Sequence, residues 1–154
     1  YYESLLNKNL YIVHRLDKDT TGLMIFAKNR LAASKISKLF LNNKINKYYI
    51  ANTNSLFKKS SGLLINTNAE NKNLKLLFRR IHLNNSTNTY LIKLLTGKKH
   101  QIRLQFFLNN NPIIGDKKFN SKSKFDLQLS SISINFLYEG KFYKFKLSLN
   151  QIFQ

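Results

Sequence analysis

The 154-residue sequence contains no cysteine. That absence excludes disulfides, thiol catalysis and cysteine-ligated zinc, and it fits a reducing compartment such as a bacterial-type cytoplasm or an organelle like the mitochondrion. Acidic residues are scarce as well: 7 Asp plus Glu face 26 Lys plus Arg, which leaves a formal charge of +19 and a sequence pI near 10.2. A phosphate backbone is the natural counterpart of such a chain. An anionic membrane would call for an amphipathic helix with a broad apolar face beside its basic one, and the sequence offers none. No apolar run approaches the roughly 18 residues of a membrane span, and Tyr1-Tyr2-Glu3-Ser4 does not read as a secretory signal. Linkers, repeats and heptads are absent too. The three histidines, His14, His82 and His100, lie far apart in sequence, so no metal site is expected.

What is present suits one globular domain over residues 1–154, because 43% hydrophobic and 13% aromatic residues can offset the entropy of ordering a chain of this size. Asn clusters at Asn42-Asn43, Asn84-Asn85 and Asn109-Asn110-Asn111 punctuate it as turns. Leu23 to Ala27 is a short apolar run that predicts a buried strand. Asn29 then predicts an N-cap for a helix carrying Ala32, Ile36, Leu39 and Phe40 on one face. Lys47–Thr53, Leu74–Leu83 and Tyr90–Thr96 are rich in aromatic and branched residues and predict strands. His100–Leu108 predicts a helix with Ile102 and Phe106 on one side, stopped by the Asn run and Pro112. A final hairpin turns at Glu139-Gly140, with Tyr143, Phe145, Leu147 and Leu149 alternating against Lys144, Lys146 and Ser148. The whole predicts an α+β domain with a mixed, mainly antiparallel central sheet and a few helices.

Chemistry concentrates just ahead of the first predicted strand, in Val13-His14-Arg15-Leu16-Asp17-Lys18-Asp19-Thr20-Thr21-Gly22. An Asp flanked by Arg and Lys is, on its own, more often a surface ion pair than a catalyst. The surrounding residues add more. His14-Arg15-Leu16-Asp17, two further residues, Thr20-Thr21-Gly22 and a strand ending Ala27-Lys28 closely resemble the signature of RluA-type pseudouridine synthases, with Thr21 where the family has serine. Lys47-Tyr48-Tyr49-Ile50-Ala51 is similar to the family's Lys-x-Tyr-hydrophobic-Ala strand, a register that selects Tyr49 over Tyr48. Gly97-Lys98-Lys99-His100-Gln101-Ile102-Arg103 resembles Gly-Arg-Thr-His-Gln-Ile-Arg, and Asn111-Pro112-Ile113-Ile114-Gly115-Asp116 resembles His-Pro-Ile-x-Gly-Asp. Leu127-x-Leu129-Ser130-Ser131 and Ile134-x-Phe136 complete the order, so the likeness spans most of the chain.

The resemblance implies the isomerisation of uridine to pseudouridine in RNA, by base flipping and without metal or cofactor. It gives Asp17 the essential carboxylate, Arg103 the guanidinium that pairs with it, and Tyr49 the ring that stacks on the flipped uracil with a phenol able to shuttle the C5 proton. Arg15 would fill the gap left by the extruded nucleotide. His14, Thr20, Thr21, Lys98, Lys99, His100 and Gln101 would contact RNA. Arg79-Arg80 reads as an RNA-facing pair or as a solvated face, and His82 as structural.

The family usually carries a strand and a Lys-Pro-x-Gly loop before the aspartate loop, and many members an RNA-binding domain of the S4 type. This sequence shows neither; a missing strand would leave a sheet edge bare, so either another segment or chain covers it or the domain is a reduced one. Lys98 and Ser130 stand where the family has Arg and His. The expected partner is ribosomal RNA ahead of transfer RNA, met by a monomer that can associate with the ribosome. The rival reading is a catalytically retired homologue kept as a ribosome-associated RNA-binding or assembly protein.

Overall fold

A computed structural model of the chain describes residues 9–83, 87–119, 124–148 and 152. Among these residues nine strands and two helices follow in the order β1 (Tyr11–Ile12), β2 (Thr21–Gly22), β3 (Phe26–Ala27), α1 (Arg30–Leu41), β4 (Asn46–Thr53), β5 (Ser61–Thr67), β6 (Asn73–Leu83), β7 (Asn88–Leu94), α2 (Gln101–Leu108), β8 (Leu129–Tyr138) and β9 (Lys141–Lys146). The main sheet runs β2-β8-β4-β7-β6-β5, with β9 also pairing to β8, while β1 and β3 form a separate ribbon. Among the described residues only β2 pairs in parallel, with β8. The architecture is therefore the expected α+β class with a mixed, mainly antiparallel sheet.

Local chemistry accounts for the helices. The Asn29 side chain accepts from the Ala32 amide at 2.8 Å and starts α1. Asn43 ends it in the left-handed region at φ 52°, while the Lys44 amide bonds back to the Leu39 carbonyl at 2.9 Å. Helix α2 is buried on most sides, including Gln101, Ile102, Arg103, Gln105 and Phe106. Gln105 anchors it, donating to the carbonyls of Leu64 at 3.1 Å and Leu74 at 3.3 Å. At the hairpin tip both Glu139 and Gly140 have positive φ, 48° and 75°, as a two-residue turn matched to strand twist requires.

Two apolar clusters result. The larger joins Tyr49, Ala51, Leu76, Phe78, Tyr90 and Ile92 of the sheet to Ile102 and Phe106 of α2. Phe57 sits at its centre, with ring centroids 4.5 to 5.1 Å from Phe78, Phe106 and Tyr90. The smaller joins Val13, Ala27, Ile36, Ile45, Ile134 and Phe136.

Two expectations need correction, and one strand was not expected. Leu23–Ala27 is not a buried strand: only Phe26–Ala27 pairs, and Met24 and Phe26 are each 37% exposed. Its donors leave the ladder, the Leu23 amide going to the Ser131 carbonyl and the Ile25 amide to the His14 ring. Strand β9 lies outermost, so Phe145 is 44% exposed; the expected alternation buries little beyond Tyr143, which stacks on Phe136 at 5.5 Å. Strand β5 was not anticipated at all. The Asn84-Asn85 turn and Leu149 lie outside the described residues.

Candidate active site

The Asp17 loop leaves the β1/β3 ribbon and closes with a bond from the Thr20 amide to the Asp17 carbonyl at 3.0 Å. It then meets β8 at Gly22, whose φ of +107° and bare Cα are both required, because a Cβ there would sit 2.2 Å from the Ser131 carbonyl oxygen. The carboxylate is thus held at one wall of a cleft of about 560 Å³ that Tyr49 lines from β4, a volume within the usual range of ~300 to 1,000 Å³ for small-ligand sites.

Asp17 Oδ2 lies 3.0 Å from His100 Nδ1 and 3.9 Å from Arg103 Nη1. Only a protonated Nδ1 can bond an ionised carboxylate, so His100 carries hydrogen there when Asp17 is charged. Arg103 has a stronger attachment elsewhere. Its Nε and Nη2 donate to the two oxygens of buried Asp116 at 2.8 and 2.6 Å, and Asp116 also accepts from the amides of Lys118 and Phe119. The Asp116 bond raises the guanidinium pKa above its ordinary value. Arg103 is therefore clamped from below by Asp116 and faces Asp17 with its remaining edge. The expected Asp17–Arg103 pairing is a contact of 3.9 Å, with His100 nearer at 3.0 Å.

Gly115, at φ +80°, makes the clamp possible: a Cβ there would sit 1.8 Å from the Asp126 carbonyl oxygen. The sequence patterns do not single out Asp116 as the partner of Arg103, although it stands in one of the family-like blocks. What identifies it is burial to 1% of its surface, which the sequence does not display.

Tyr49 is 8% exposed and pairs with Ile92 of β7 and Ser131 of β8. A bulge between Tyr48 and Tyr49 shifts the register against β8, a device that re-aims side chains. Burial pushes its phenol pKa up to about 12, with the Ser131 hydroxyl pulling the other way and the Asp17 charge adding to the rise. Tyr48 points to the opposite face, under Lys93 at 5.8 Å.

The residues expected at RNA separate into two groups. Arg15, Lys98 and Lys99 are exposed at the rim of the Asp17 cleft, and Thr20 lines it too. His14 lines it as well, but its ring is committed: Nε2 accepts from the Ile25 amide at 2.9 Å and the ring stacks on Phe40 at 4.4 Å. Its pKa falls to about 4, chiefly through burial and then the Lys47 charge, against an opposing backbone bond at Arg15. Gln101 has no bond left to give. Its amide nitrogen donates to the Lys75 carbonyl and Gln105, and its oxygen accepts from Thr96 and the Lys98 amide. Thr21 faces a neighbouring cleft instead, and His100 faces the carboxylate. Arg79 and Arg80 are successive residues of β6, so their side chains take opposite faces and do not act as a pair. His82 is exposed on the same strand.

Fold and cleft together define an α+β domain with a carboxylate and a tyrosine lining a basic cleft and a buried guanidinium behind the carboxylate. The first 107 residues match the family model described as RNA pseudouridylate synthase, and the chain belongs to that family. It is 35% identical to an uncharacterised RNA pseudouridine synthase of Mycoplasma capricolum subsp. capricolum, over 88% of this chain and 51% of that one. It is 34% identical to ribosomal large subunit pseudouridine synthase D of Blochmanniella floridana, over 87% and 47%. The chain thus spans about half the length of these curated relatives. Two solved human proteins, RNA pseudouridylate synthase domain containing 1 and 4, share the fold with TM-scores of 0.82 and 0.79 at 16% and 20% identity, covering 91% of this chain and 69% and 71% of theirs. Among the described residues no helix is long and apolar enough to cross a membrane.

Proposed function

We propose that this chain converts uridine to pseudouridine within RNA, ribosomal RNA ahead of transfer RNA, as a single catalytic domain in a reducing compartment. One observation carries the reading: the Asp17 carboxylate stands 3.9 Å from the clamped Arg103 and shares a basic cleft with Tyr49. The reaction breaks the bond from N1 of uracil to the sugar C1′, forms one from C5, releases the C5 proton and returns one proton to N1. No atom is gained or lost, so no oxidant or reductant enters. Asp17 is the catalytic carboxylate and acts ionised; the Arg103 guanidinium, held by Asp116, faces it and fixes its direction. Tyr49 gives the everted base a ring to stack on and a phenol that keeps its proton at neutral pH, so it serves as a donor to the base. Arg15, at the rim, fills the vacated stack and lowers the cost of flipping, typically a few kcal/mol. Lys98 and Lys99 hold the phosphate backbone.

The test is to incubate the protein with ribosomal and transfer RNA and map pseudouridine for wild type and Asp17→Asn. Wild type is expected to form product, and Asp17→Asn to lose it by at least about 10²-fold while still binding RNA. A wild type that binds RNA with salt-sensitive affinity and forms no pseudouridine would overturn the reading in favour of a retired RNA-binding homologue.

A further inference from the structure

Lys47 is a cation that the isomerisation above does not use and to which the fold offers the face of Phe40 but no counter-ion. It is only 9% exposed, lines the Asp17 cleft, and stands two residues before Tyr49 on β4, hence on the same face about 6.6 Å along the strand. Its ammonium lies 5.9 Å from the Phe40 ring centre and reaches the loop opposite, where a Cβ on Gly97 would come within 3.0 Å of Nζ. Among the described residues no carboxylate pairs with it. Burial lowers its pKa, and its charge in turn depresses that of His14. A buried ammonium without a counter-ion is expensive, and a methionine would fill the same space without that cost. A cation kept under those terms at a cleft wall fits an anion supplied from outside the chain.

We propose that Lys47 binds a backbone phosphate oxygen beside the everted nucleotide. The inference rests on the RNA reading given above and extends it to a specific contact. A phosphate suits the site better than a uracil carbonyl, because a full negative charge offsets the desolvation of an ammonium where a neutral dipole offsets only part of it. Lys47 also differs in kind from Lys98 and Lys99. Those are solvated at the rim and exchange water for phosphate at little gain, whereas burial has already desolvated much of Lys47.

Lys47→Met tests this through two readouts that move in opposite directions. Thermal unfolding is expected to shift upward, since an uncompensated buried charge is removed. Affinity for a single-stranded uridine dodecamer, followed by fluorescence anisotropy, is expected to fall about tenfold, and the slope of log K against log salt to become shallower by about 0.7, the share of one phosphate contact. In the wild type, the Lys47 Nζ resonance is expected to move on adding uridine 5′-monophosphate and to stay in place with uridine. A lowered unfolding temperature with unchanged RNA affinity would make Lys47 a structural residue and overturn the proposal. So would an unaltered salt slope, or an Nζ shift as large with uridine as with the monophosphate. If Lys47→Met does not fold, Gly97→Ala, whose added carbon displaces Nζ, gives the same binding readouts. All of these measure binding, so a wild type that binds RNA without forming pseudouridine defeats the catalytic reading and leaves this one standing.

Discussion

The larger apolar cluster and the smaller one each hold one side of the cleft, and they do so by different means. Tyr49 is carried by β4, which pairs with β7 without interruption from Lys47 to Thr53, and Arg103 by a helix anchored through Gln105. Asp17 is carried by a loop between strands of two residues each. Its placement depends on single bonds, such as the Ile25 amide to the His14 ring and the Leu23 amide to the Ser131 carbonyl, on the smaller cluster beneath α1, and on Leu16, which packs against the larger one. A repeating ladder averages out the loss of any one bond; the loop has no such redundancy. The sheet side is therefore expected to open only with global unfolding, and the loop side earlier.

Three measurements sharpen or break this contrast. The largest effect is expected from Asp116→Asn, which takes from buried Arg103 its charged partner and should cost about 3 kcal/mol of global stability, read by chemical denaturation. A loss confined to residues 9–41 would contradict the division. Next is pH. The unfolded His14 titrates near 6.5 and the folded one near 4, so between those values the unfolded chain takes up a proton that the folded chain refuses. Stability contributed by neutral His14 is full above pH 6.5 and is lost as pH falls toward 4, on the order of 2 kcal/mol in total once partial solvent exposure is allowed for. His14→Gln is expected to flatten that part of the stability curve. The smallest is Asn29→Ala, which removes the cap of α1 at a cost of about 1 kcal/mol and should speed amide exchange in residues 30–41 while leaving β4 and β7 protected.

The same division governs what could be read in advance. Helix α1, α2, β4, β6 and β7 were legible because each has a cap, a stop or a periodic apolar face that its own residues declare. The C-terminal hairpin was legible through Glu139-Gly140, though β9's outermost position is a property of the sheet and not of its alternation. Strand β5 escaped notice because Leu63 and Ile65 point outward, 48% and 58% exposed, so its burial pattern does not follow its hydrophobicity. Leu23–Ala27 misled because its amides bond to an imidazole and to a distant carbonyl. In the site, Asp17, Tyr49 and Arg103 were legible only as parts of motifs. The Arg103–Asp116 clamp, the committed ring of His14 and the saturated amide of Gln101 are contacts that a one-dimensional pattern does not express.

The contact at Gly22 bears on how such a chain can change over generations. One extra methyl at that position would collide with the backbone of β8 and lift the acid from its place, with every charged group still present in the gene. On the role proposed for Asp17, silencing by drift needs no change at that residue itself, and a copy that looks intact there is to be judged by its glycine as well.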